Sequence, residues 1–85
     1  MLFRSAYGAA HLRFGLPRRG EVSLEVFDVQ GRRVTTLARG PQAPGWHELD
    51  WSGRDEGGQA VDAGLYFVRL KAEGRQMNQR LVWLK

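Results

Sequence analysis

Cysteine is absent from this chain, so packing and strand hydrogen bonds alone must hold the fold, without a disulfide framework or a thiolate metal site. That absence says nothing of compartment. Histidine is scarce: His11 and His47 show no HxH or HExxH spacing, and strand histidines facing solvent are the ordinary expectation. No serine among Ser5, Ser23 and Ser52 lies in a GxSxG elbow. No run is long and apolar enough to span a bilayer, and the first residues lack the basic, apolar and small pattern of a signal peptide. If the protein is exported, its signal belongs on a longer parent chain. A sustained helical stripe is also missing.

What remains is one domain's worth of chain. At 85 residues there is room for a single core and little spare surface for a catalytic cleft. The hydrophobic fraction of 42% and three Trp are enough to fold it. Thirteen basic residues against nine acidic ones give a net charge of +4 and a pI near 10.3, which raises nucleic acid or an anionic membrane as partners. The spacing speaks against a dedicated basic site. Arg4, Arg13, Arg32, Arg33, Arg39, Arg54, Arg69, Arg75 and Arg80 are scattered, and Arg18-Arg19 lies beside a turn. Such residues are expected to solubilise sheet faces and blunt edges, and no nucleic-acid partner is expected.

Period-two alternation recurs between glycine and proline punctuation, the pattern of an all-β chain. Leu12, Phe14 and Leu16 alternate with polar neighbours before Pro17-Arg18-Arg19-Gly20. Val22, Leu24 and Val26 form the apolar face of a strand ending at Asp28-Val29-Gln30-Gly31, whose glycine suits positive φ, and Arg33 to Leu37 should pair back. Gly40-Pro41-Gln42-Ala43-Pro44-Gly45 reads as a loop. A strand resumes at Trp46, with Leu49 and Trp51 on its apolar side. Leu65 to Lys71 presents Tyr66, Val68 and Leu70 on one face, Glu73-Gly74-Arg75 turns, and Met77 to Leu84 is the last strand. Its inward pair is either Leu81 and Trp83 or Val82 and Leu84. With a short strand around Leu2 to Arg4, these segments predict an antiparallel two-sheet β-sandwich of about seven strands, immunoglobulin-like in architecture.

The stretch from Trp51 to Phe67 carries the most information. Gly53, Gly57, Gly58 and Gly64 permit positive φ or close backbone approach, and Asp55 can fold onto nearby amides in an Asx-type turn. The alternative is calcium, held by Asp50, Asp55, Glu56 and Asp62, although the spacing is not that of an EF-hand. Nor is it a phosphate cradle, since no helix start and no P-loop lysine follow. No catalytic residue, metal or cofactor is assigned, and the chain reads as no enzyme. Trp51 stands where a sandwich needs a large buried ring, while Trp46 and Trp83 leave open an exposed patch for a protein or a sugar.

Several motifs together resemble those of the immunoglobulin-like domain of the flagellar hook-capping protein and of the related C-terminal sorting domains of type IX secretion substrates. They are Leu12-Arg13-Phe14-Gly15-Leu16-Pro17, the hairpin from Val22 to Val34, Pro44-Gly45-Trp46-His47, and the turn motif Trp51, Gly53, Asp55, Gly58, Val61, Gly64, Tyr66 and Phe67. Leu81, Val82, Trp83, Leu84 and Lys85 resemble the terminal strand and stand as a candidate recognition strand. Met1-Leu2-Phe3-Arg4-Ser5 keeps only the Phe of the Asn-Pro-Phe segment with which the family often begins. The resemblance implies a non-enzymatic module, residues 1–85, at the end of a larger exported protein, placed outside the cell or on its surface by way of the periplasm. Its partners would be an upstream passenger domain and either outer-membrane secretion machinery or filament subunits. A last strand running straight to Lys85 favours sorting; hook-cap assembly is the alternative, and an accessory carbohydrate-binding module of a secreted hydrolase a second one.

Overall fold

The computed structural model describes residues 8–84 in full and the backbone of residues 2–6. The chain runs β1 (Leu2–Ala6), β2 (Ala9–Leu16), β3 (Gly20–Asp28), β4 (Arg33–Gln42), β5 (Gly45–Trp51), β6 (Gly64–Ala72) and β7 (Arg75–Trp83). They form a three-stranded sheet, β1-β2-β5, and a four-stranded sheet, β4-β3-β6-β7. All pairings are antiparallel. The fold is therefore the all-β sandwich that the alternation predicts.

Alternation becomes packing because successive side chains of a strand point to opposite faces, most plainly in β2, where Ala10, Leu12, Phe14 and Leu16 are buried with exposed residues between them. Ala10, Leu12, Phe14, Leu16 and Trp51 face the core from one sheet, and Val22, Leu24, Val26, Tyr66, Val68, Leu70, Leu81 and Trp83 from the other. The parity of β7 follows from its pairing with β6. Tyr66 stands opposite Leu81 and Gly64 opposite Trp83, so those two go inward, and Val82 and Leu84 stay exposed.

Two expectations need correcting. The proline-rich segment is not all loop: β4 continues through Gly40-Pro41-Gln42, where Glu21 pairs with Pro41 and Gly20 with Gln42. β4 is an edge strand, which is where a sheet tolerates a residue without an amide donor. His47 does not face solvent freely. It lies on the core side of β5, stacked on Phe14 with centroids 5.1 Å apart, and its Nε2 is 2.7 Å from the Ala43 carbonyl oxygen.

The hairpins close with matching turn chemistry. Asp28 Oδ1 accepts from the Gln30 and Arg32 amides, both at 2.9 Å, around Gly31 at φ 83°. Between β6 and β7, Glu73 at φ 54° and Gly74 at φ 73° make a two-residue turn of the primed kind, with Ala72 opposite Arg75.

Candidate functional site

The loop between β5 and β6 folds on itself around one carboxylate. Asp55 Oδ1 accepts from the Gly57 amide at 2.9 Å and the Gln59 amide at 3.0 Å. The backbone adds Asp55 N to Gln59 O at 2.9 Å, Gly58 N to Asp55 O at 3.0 Å and Val61 N to Gly53 O at 2.9 Å. A carboxylate satisfied by amides two and four residues ahead is a turn device. Asp50, the first of the residues considered for calcium, instead contacts His11 Nδ1 on the outer face of its sheet. Among the described residues, no group of three or more His, Asp or Glu side chains is placed to hold a metal ion.

The loop joins the two sheets. Trp51 Nε1 donates to the Arg54 carbonyl at 2.9 Å, while the Glu56 amide donates to the Val34 carbonyl at 3.1 Å and its carboxylate lies 3.0 Å from Arg33 Nε. Tyr66 donates from its hydroxyl to the Asp62 carbonyl at 2.6 Å, back across the strand start, as in the tyrosine corner of immunoglobulin-like sandwiches. Burial raises the Tyr66 phenol above its ordinary value, and the charges of Asp62 and Asp28 push the same way.

Beneath the loop lies an aromatic cluster. The Trp51 ring is 5.1 Å from that of Trp83 and 5.3 Å from that of Tyr66. Trp83 also closes over Gly53, where an added Cβ would stand 2.1 Å from its Cζ2. The structure thus brings Trp51, Gly53, Asp55, Tyr66 and Trp83 into one packed corner. Gly58 occupies the outer bend at φ 85°, and Gly64, at φ 151°, starts β6. Leu81 belongs to the core, Val82 and Leu84 to the surface, and Lys85 lies outside the described residues.

Of the two tryptophans left open, Trp83 is 5% exposed and Trp46 is 65% exposed. They do not share a platform. Trp46 covers Gly15, its cross-strand partner, and the Arg13 guanidinium lies 4.2 Å from its ring centroid. An aromatic ring over a strand glycine supplies packing that the glycine cannot.

A family profile described as the FlgD Ig-like domain matches residues 5–76. This chain belongs to the FlgD Ig-like domain family. The crystal structure of FlgD from P. aeruginosa superimposes with a TM-score of 0.69 at 22% identity, covering 92% of this chain and 63% of that chain. The likeness shows the same fold, and this chain spans less than two thirds of the solved relative's length. No curated protein matches. The family match is to the hook-capping side of the resemblance; nothing in these comparisons extends to the type IX sorting domains.

The structure also assembles something that the spacing of charges hides. Arg18 and Arg19, Arg39, and Lys71 with Arg75, from three separate segments of the chain, line one cleft at the pole of the sandwich away from the Asp55 loop. Arg39 and Arg75, which the sequence places among the scattered basic residues, are here brought beside Arg18, Arg19 and Lys71. Hairpin pairing is what gathers them, and the only sequence signal was Arg18-Arg19 beside a turn.

Proposed function

We propose that this chain is a protein–protein assembly module of the flagellar hook-cap type, carried within a longer exported chain and acting outside the cell. The observation that carries the reading is the family match across residues 5–76. The architecture suits it: a fully packed sandwich whose most elaborate loop is consumed by its own hydrogen bonds leaves its surfaces for contacts. Leu65 and Val82, directly opposite each other on β6 and the edge strand β7, are 37% and 54% exposed on the outer face.

The experiment is an in-frame deletion of this segment in the cell that carries it. Electron microscopy should show flagellar hooks missing or malformed while the rest of the parent chain is still exported. Normal hooks with a parent chain retained in the periplasm would overturn the assembly reading in favour of sorting.

A further inference from the structure

At one end of the sandwich the turn between β2 and β3 faces the turn between β6 and β7 across an open cleft of about 1160 Å³. Five cations line it against two carboxylates, Glu21 and Glu73. Glu73 is already engaged, with its Oε1 3.1 Å from Arg18 Nε, so Arg19, Arg39, Lys71 and Arg75 face Glu21 alone. The whole chain carries a net +4, so most of that excess is collected here.

The sheet holds these charges in place. Ser23 of β3 pairs with Arg39 on one side and with Lys71 on the other, so two cations flank a small hydroxyl on one face. Gln76 follows Lys71 in the same row. At the turn, Glu73 keeps a positive φ that few side chains adopt, and its ion pair with Arg18 ties the two turns together. Pro17 and Ala72 add apolar surface.

We propose that this cleft binds an acidic polypeptide segment of a partner, with spaced carboxylates meeting Arg39, Lys71, Arg75 and Arg19; the inference rests on the assembly reading for taking a protein as the occupant. The cleft is open rather than enclosed, which suits an extended chain better than a small molecule that needs most of its surface buried. Single-stranded nucleic acid would want rings to stack on, and among the described residues that line the cleft none is aromatic. Glu21 and Glu73 also oppose a continuous row of phosphates more than carboxylates that can be spaced around them.

The test is fluorescence anisotropy of the 85-residue chain with a labelled peptide in which Asp and Glu alternate with Val. The same peptide with Asn and Gln, and oligo(dT), serve as competitors of the label. The acidic peptide should bind and weaken as sodium chloride rises. Arg39→Glu with Lys71→Glu should weaken it by about tenfold or more, and Arg80→Glu, on β7 outside the cleft, by less than about twofold, as expected for contacting and distant charges. Unchanged melting temperatures would establish that these exposed substitutions leave the fold intact. Equal binding of the amide peptide, preference for oligo(dT), no binding, or indifference to the double reversal would each overturn the proposal. If hooks are lost on deletion but the peptide does not bind, the cleft falls and the assembly reading stands. Binding together with normal hooks does the reverse.

Discussion

Gly53 meets two demands that no other residue meets together: a φ of 73°, and a position where a Cβ would lie 2.1 Å from the Trp83 ring. Gly58 shares the first demand at φ 85° but has open space around it. Gly58→Ala should therefore cost only the left-handed penalty, about 1–2 kcal/mol. Gly53→Ala adds overpacking of a rigid ring and should cost about 3 kcal/mol or more, read from urea denaturation. Similar losses at the two sites would show that Trp83 yields easily. Tyr66 belongs to the same corner. Removing its hydroxyl in Tyr66→Phe should cost about 1 kcal/mol, the net worth of one hydrogen bond. Its raised pKa means that the folded state favours the neutral phenol, so this contribution is complete below the ordinary value of about 10 and is lost as pH climbs through the raised one. Above about pH 10 the melting temperature of Tyr66→Phe should fall less than that of the native chain. Parallel curves would contradict this.

The hairpin of β3 and β4 shows how an element depends on one side chain. Asp28 holds the turn through the Gln30 and Arg32 amides and reaches Arg32 Nε at 3.0 Å. The Arg32 amide lowers the Asp28 pKa most; burial opposes it, and the Arg32 side chain, the Gln30 amide and the Arg32 charge together keep the balance on the lowered side. A depressed carboxylate stabilises the fold above its unfolded value, near 4, and that help is lost as pH falls through the lower folded value. Acidification below about pH 4 should thus lower the melting temperature of the native chain more than that of Asp28→Asn. Hairpins of this kind are legible in sequence, because Val22, Leu24 and Val26 alternate up to an Asp and a Gly. β7 was only half legible: Leu81-Val82-Trp83-Leu84 is apolar at both parities, and only pairing with Tyr66 and Gly64 decides between them. The extension of β4 through Pro41 was hidden because proline reads as a break until the strand is known to be an edge. Within the loop, the Asx turn at Asp55 could be read locally. The closure of Trp83 over Gly53 could not, nor could the gathering of Arg39 and Lys71 around Ser23, since each is a contact between distant segments.

For the molecule as a whole, the two sheets share a single core, so neither has an apolar face of its own to keep if the other is lost. Leu12 and Leu49, and Leu24 and Leu70, are cross-strand partners far apart in sequence. Trp51 comes from one sheet and Trp83 from the other, and their rings meet. Once the exposed Trp46 is replaced by Phe, tryptophan fluorescence comes from this pair and reports sandwich closure, whereas far-ultraviolet circular dichroism reports strand formation. A shared core predicts that both signals follow one urea transition, with a slope of about 1 kcal/mol/M for a domain of this size. The same long-range pairings must pay loop-closure entropy before burial rewards it, so refolding should take on the order of milliseconds to seconds, the range of β-sandwiches. Stopped-flow refolding checks the rate and equilibrium titration checks the coincidence. If strand signal persisted after the tryptophans had become exposed, one sheet would have to stand alone, and the interdependence inferred from the common core would be wrong.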